Sequence, residues 1–295
     1  MTLSEVMDTF EKWAKQNLAD ITVRHYRRFF DRFLLATGNL EIEKVKAVHL
    51  LAWGHTWHEL HAIKRLFNWA TSIADIVAEN PFKRIPLPPI GMRRRVLRRG
   101  VFLQLLRGAN PKFRNFMFAL RETIARPTEI RLLRWEYLNW PRNDMDHIEG
   151  MKQGRAFFTL EDFKSHKRRS DPASVRNILV SPRLGRLLAR LLRDGRPLTG
   201  FVFLNTRGEP WKNNATRLQM KRLRLALGIG PDQRGENICC YTIRHTGATS
   251  AAASGVRDRV LSEILGHTTE RMTRRYQHLD VDHLHAALSK IRFIC

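Results

Sequence analysis

Three segments set a charged or nucleophilic side chain inside a fixed apolar frame, and chemistry has to be sought there first. LGHTTERMTRRYQHL (265–279) carries Tyr276, a phenol able to attack an electrophile, nine residues after His267. With 52 lysines and arginines in the chain, one arginine at a convenient spacing carries little information, so the frame around it has to decide. In ARPTEIRLLRW, Arg126 precedes Pro127, a favoured first helical residue, and Glu129 stands three residues on, able to orient it. The same pair also fits a surface ion pair of small energetic weight. The apolar side of that helix is Ile130, Leu133 and Trp135. In YTIRHTGATSAAASG, Arg244 opens a helix whose next residues are small enough to admit another backbone, and a buried arginine needs an anion or a carboxylate beside it. His245 reads as a satisfied core histidine. VLSEILGH reads as an apolar helix stopped by Gly266, which puts His267 at the first exposed turn. Thr268 or Thr269 then caps a new helix with Tyr276 two turns in; alone, such a tyrosine is usually a core or interface residue.

These segments need a scaffold, and the chain is long enough to supply one. Its 295 residues, 43% hydrophobic, can bury more than one core, and at roughly 150 residues per domain two are expected. Between Leu3 and about Glu79 the apolar residues recur at helical spacing: Val6, Phe10, Trp13; Tyr26, Phe29, Phe30, Phe33; Leu60, Ile63, Phe67, Ala70. A small helical bundle over 1–82 follows. NPFKRIPLPPIGMRRRVLRR (80–99) is proline-rich and then arginine-rich, so 83–99 reads as a basic linker and 100–295 as the second domain. Within that domain, helical stripes surround two β-like runs, RAFFTLEDF and VRNILVS, separated by the very basic KSHKRRSDPAS. The expected fold is mainly α with a small β-ribbon.

Charge narrows the partner. The net charge is +24, with a sequence pI near 11.1. Residues 1–90 contribute only +2 of it and residues 91–295 contribute +22. Such a field attracts polyanions, nucleic acid before anionic membrane. Three cysteines without CxxC spacing suggest neither zinc nor a disulfide framework, and no signal-like N-terminus or spanning-length apolar run appears, so a cytoplasmic, soluble protein is expected. His55, His58 and His61 spread around a helix and lack metal-ligand spacing. No P-loop, GxGxxG or acidic two-metal cluster is present, and no cofactor is expected.

The ordered set of segments resembles the tyrosine recombinase, or phage integrase, family. ARPTE with LLRW resembles its first arginine motif, YTIRHTGAT its HxxRHT motif, and LGHTTERMTRRYQHL its LGH…T..Y.H motif, over roughly residues 3–285. The resemblance implies a helical core-binding domain and an integrase-like catalytic domain closing as a clamp on duplex DNA. It implies site-specific strand exchange through a 3′-phosphotyrosine, with four copies of the chain in the synaptic complex. It makes Tyr276 the nucleophile, Arg126 and Arg244 the phosphate clamps, His267 the second histidine, and Lys164, with Lys167 as alternative, the lysine that protonates the leaving 5′-oxygen. One position departs: Tyr241 stands where the family most often has histidine, and a tyrosine can donate to phosphate but does not readily take a proton at neutral pH. Relaxation of DNA by a type IB topoisomerase, or DNA binding by a catalytically weak accessory protein, are the alternative functions.

Overall fold

The computed structural model describes residues 1–54, 56–91, 93–139, 147–161, 175–193, 199–267, 269–273 and 276. It divides into two compact units, Met1–Met92 and Arg93–Cys295, each with its own core. In the first unit, helices α1 (Leu3–Asn17), α2 (Asp20–Thr37), α3 (Ala47–Trp53) and α4 (Trp57–Ser72) pack around Phe10, whose ring meets Trp13, Tyr26, Phe30 and Trp69 at 5.3–5.7 Å. Their starts are fixed locally. Thr2 accepts from Glu5 N while Glu5 Oε2 accepts from Thr2 N, and Thr56 and Glu59 repeat the arrangement at α4.

The second unit begins with basic chain held down by one carboxylate. Glu236 accepts from the backbone N–H groups of Arg94 and Arg95, while Arg95 Nη1 donates to the carbonyls of Gly230 and Glu236. Helices α5 (Arg99–Gly108) and α6 (Pro111–Thr123) follow, then the short α7 (Pro127–Arg131). That helix ends earlier than its apolar pattern predicts. Leu133 and Trp135 are buried as expected, but Trp135 N donates to Gly200 O and Leu133 O accepts from Val202 N, so the chain leaves the helix to pair with 200–202.

Strands β1 (Leu138–Asn139), β2 (Phe157–Leu160) and β3 (Arg176–Leu179) form an antiparallel sheet in the order β1-β2-β3. The ribbon expected from the two β-like runs is therefore present, with a third strand from the segment before it; its basic tip, 162–174, lies outside the described residues. Helix α8 (His147–Lys152) lies between β1 and β2 in sequence, α9 (Pro182–Arg193) follows β3, and α10 (Asn213–Ala226), α11 (Cys240–Ala253) and α12 (Asp258–Leu265) complete the unit. Among the described residues no helix is long and apolar enough to cross a membrane.

Close approach requires glycine at two places, to a backbone at Gly185 and to a side chain at Gly247. A Cβ on Gly185 of α9 would lie 1.7 Å from Met151 O in α8, and one on Gly247 of α11 would lie 2.7 Å from Ile124 Cγ2. Small residues after Arg244 therefore do admit a neighbour, the turn that follows α6. Gly185→Ala is expected to force α8 and α9 apart and lower the stability of the second unit by about 1–3 kcal/mol, read as a lower urea midpoint at an unchanged slope.

Candidate active site

The site is built where α7 begins, where α11 begins and where α12 ends. Arg126 is the N-cap of α7: its backbone N donates to Glu129 Oε2 at 2.8 Å, and its Nη1 donates to Glu129 Oε1 at 2.7 Å. The surface-pair alternative is thus excluded, because both side chains are buried. Arg126 Nη2 donates to Gly266 O at 2.8 Å, 140 residues on in the chain. Arg244, near the start of α11, donates from Nη1 to Ile124 O and from Nη2 to Leu265 O, both at 2.7 Å, with His267 Nε2 3.4 Å from Nη2.

Two backbone features make these contacts possible. Gly266 ends α12 in the left-handed region (φ 61°, ψ 45°), which turns the chain towards His267. Ile124 takes the same conformation (φ 51°), which a β-branched residue adopts only under strain, and its carbonyl is the one that accepts from Arg244.

A third guanidinium, absent from the sequence-derived set, completes the cluster. Arg176, the first residue of β3, donates from Nε to Glu129 Oε1 at 3.2 Å, from Nη1 to Glu263 O at 2.9 Å and from Nη2 to Ile264 O at 2.8 Å. A signal for it exists in VRNILV. Arg176 shares the buried face of the strand with Ile178 and Val180, so an arginine occupies an inward position of a period-two pattern.

Exposure quantifies the resulting imbalance. Arg126, Arg176 and Arg244 are 8%, 2% and 4% exposed and Glu129 is 5% exposed, so among the described residues three buried cations meet one buried anion. Burial pushes the Glu129 carboxyl up, but Arg176, Arg126 and the Arg126 N–H outweigh that and hold it below the ordinary glutamate range. Burial, and next the like charge of Arg126, push Arg244 down to about 10.

Tyr276 is buried in an apolar patch with Ala248, Leu261 and Leu265. Its ring lies 6.0 Å from that of His267, nearly parallel at 11°, and 5.3 Å from that of His245. His267 Nδ1 is 2.8 Å from Thr273 Oγ1, which is 2.5 Å from Ser262 Oγ. Arginine cannot accept, so in the contact with Arg244 it is His267 Nε2 that accepts; Nδ1 then carries the proton to Thr273, and Thr273 donates to Ser262. The chain to Tyr276 differs from the expected capped helix. Glu270–Met272 forms a 3-10 turn, and Tyr276 N donates to Thr273 O, because Thr273 is drawn fully inside by His267 and Ser262.

Arg126, Arg244, His267 and Tyr276 are thereby brought together. Tyr241 is not: it lies on the first turn of α11, is 46% exposed, and joins none of the hydrogen bonds of the cluster. Lys164 and Lys167 lie outside the described residues. The neighbouring Cys240 offers no nucleophile, since burial, reinforced by Cys239, pushes its thiol up to about 12. Among the described residues no group of acidic, histidine and cysteine side chains is arranged to hold a metal ion.

Comparison with known proteins follows the same lines. The model of the phage integrase family matches residues 96–283, more than half of the chain. The chain is 27% identical over 291 residues to a protein named prophage phiRv2 integrase from Mycobacterium tuberculosis, covering 91% of this chain and 72% of that one. Its fold matches a Tn1549 transposon integrase in complex with transposon right-end DNA (TM-score 0.72, 18% identity, 99% of each chain). It also matches a lambda integrase tetramer bound to a Holliday junction (TM-score 0.71, 16% identity, 96% of this chain and 80% of that one).

The electrostatics of Glu129 make a prediction about stability. Because its folded carboxyl is held below the ordinary value of 4.5, its stabilisation is present above that pH and is lost as pH falls below it. Glu129→Gln is expected to cost roughly 3–5 kcal/mol at pH 7 by leaving buried guanidiniums without their carboxylate. Urea titrations of wild type and variant should converge as pH is lowered through 4; a constant difference would exclude the ion pair as the cause.

Proposed function

The chain belongs to the phage integrase family, the site-specific tyrosine recombinases, and from that premise we propose that Tyr276 is its nucleophile and the Arg126–Arg244 pair its phosphate clamp. The observation that supports this reading is the convergence of buried positive charge: among the described residues, three guanidiniums gather on one carboxylate, beside a tyrosine. A phosphodiester fits such a site, because it supplies two non-bridging oxygens for planar N–H forks. Among the described residues, Arg244 still has its Nε–H and one Nη1–H to offer.

In the proposed reaction the Tyr276 hydroxyl gives up its proton to solvent as its oxygen attacks a DNA phosphorus, the bond to the 5′-oxygen breaks, and the 5′-hydroxyl leaves with a proton from Lys164. A 3′-phosphotyrosine remains. Charge on the pentavalent phosphate is stabilised by Arg126 and Arg244, aimed in advance by carbonyls and Glu129, with His267 beside them. The covalent bond conserves the energy of the broken one, so rejoining to a partner strand needs neither nucleotide nor metal. Tyr241, exposed at the α11 start and outside the cluster, is suited to meet DNA as a hydrogen-bond donor and not as a base. The helical first unit serves as the core-binding domain on duplex DNA, four copies assemble on synapsed sites, and the protein acts in the cytoplasm.

The test is covalent trapping on nicked suicide duplexes tiled across the DNA that flanks the gene. Wild type should form a complex stable to denaturant, and Tyr276→Phe should bind the same duplex without forming it. Arg126→Lys and Arg244→Lys should trap roughly 10²–10³-fold more slowly. Tyr241→Phe should slow trapping by no more than about tenfold, since it removes one donor and no proton acceptor. DNA binding by wild type with no covalent product on any duplex would exclude the enzyme reading.

A further inference from the structure

Arg176 is the most deeply buried of the three guanidiniums, yet the proposed reaction gives it no task. Its three donors point at three acceptors from two different elements: Glu129 Oε1 at α7, and the carbonyls of Glu263 and Ile264 at the end of α12. The neighbouring backbone is cut to its shape. A Cβ on Gly266 would lie 2.6 Å from Arg176 Nε and 2.8 Å from its Cζ, so any side chain at 266 collides with the guanidinium. Gly266 O in turn accepts from Arg126, and the next residue is His267. On its own element, Arg176 pairs in register with Leu160, the last residue of β2, four positions before Lys164 in sequence.

We infer that Arg176 is a positioning residue for strand cleavage: it fastens the β-ribbon to Glu129 and to the end of α12, fixing where Arg126 and His267 meet the phosphate. The inference rests on reading the site as one that cleaves a phosphodiester. Arg176 needs no contact with DNA to act. Each of its three guanidinium nitrogens donates to protein, and each acceptor belongs to an element that carries, or directly holds, one of the proposed site residues. A lysine there keeps the charge but, as a point donor on a flexible stem, does not hold three acceptors in one plane. Displacement of a clamp by about 1 Å is enough to cost on the order of 10²-fold in rate.

The experiment uses the full chain and the duplex that traps wild type best. Under single-turnover conditions Arg176→Met should slow covalent trapping by roughly 10²-fold, with DNA affinity at fixed salt within about threefold of wild type. Arg176→Lys should recover part of the rate. The pH profile distinguishes positioning from general loss of structure. Glu129 faces Arg126 from its own helix, Arg176 from β3 and Arg244 from α11, with His267 beyond them. Without Arg176 its carboxyl takes a proton more readily and releases Arg126, so the variant's rate should fall on acidification over a range where wild type is level. Adding Glu129→Gln should abolish that extra fall. If Arg176→Met proves unfolded by circular dichroism, Arg176→Lys carries the same rate and pH measurements. A folded Met or Lys variant that traps DNA at the wild-type rate, or with a pH profile parallel to wild type, overturns the inference. Failure of wild type itself to trap any duplex would instead bring down the reading of the site.

Discussion

The end of α12 is the counter-charge on which the site depends. Of its last carbonyls, 263 to 266, only Glu263 O accepts a backbone N–H at the cap among the described residues, from Gly266, and a helix C-terminus carries about half a negative charge. All four are taken by guanidiniums: Glu263 and Ile264 by Arg176, Leu265 by Arg244, Gly266 by Arg126. Backbone dipoles thus do part of the work that buried acids would otherwise do. The difference matters for function. A second buried carboxylate would halve the positive charge of the cluster and compete with a phosphate for the same N–H groups, whereas carbonyls orient the forks and leave that charge in place.

This arrangement explains why residues far apart in sequence constrain one another. Glu129 accepts from both Arg126 and Arg176, so α7 and β3 share one carboxylate. Gly266 has to be glycine twice over, for its left-handed φ and for the guanidinium against which a Cβ would press. Ile124 carries strain of order 1–2 kcal/mol in its left-handed conformation, and the hydrogen bond from Arg244 to its carbonyl offsets part of it. The same isoleucine packs against Gly247, three residues after Arg244, which ties the strained turn to the helix that supplies the arginine. Strain and small residues appear beside the site because three chain segments have to converge there.

Much of this was legible in the sequence, and the part that was not has a physical cause. The helical stripes of the first unit locate its core: Phe10, Phe30, Phe33, Ile63 and Phe67 are buried. Arg126, Arg244 and His267 were legible because each sits at a helix boundary marked by proline, small residues or glycine, although His267, expected at an exposed turn, is buried by its contacts with Thr273 and Arg244. Arg176 was not, since in a chain so rich in arginine a charged residue in a strand reads as solvent-facing until its alternation with Ile178 and Val180 is counted. The turn leading to Tyr276 was misread as a capped helix because local capping signals do not show that Thr273 is required inside. Tertiary hydrogen bonds to His267 and Ser262 outweigh the local preference. Tyr241 kept its ambiguity, because a single motif position does not reveal whether the side chain faces the cluster or the solvent.

The hydroxyl relay behind His267 bears on how the site responds to its substrate. With Arg244 donating to Nε2, the proton sits on Nδ1 and runs through Thr273 to Ser262. A phosphate that draws the Arg244 donors to itself removes that partner from Nε2 and places an acceptor in front of the ring. His267 then has to present an N–H where it formerly accepted. Either it takes a proton, or the proton moves from Nδ1 to Nε2 while Thr273 rotates to donate to Nδ1. A threonine serves this better than a carboxylate would, because a hydroxyl both donates and accepts, whereas a carboxylate pins the proton on Nδ1. The relay therefore lets one histidine present either an acceptor or a donor at Nε2, and the threonine that permits it stands three residues before Tyr276.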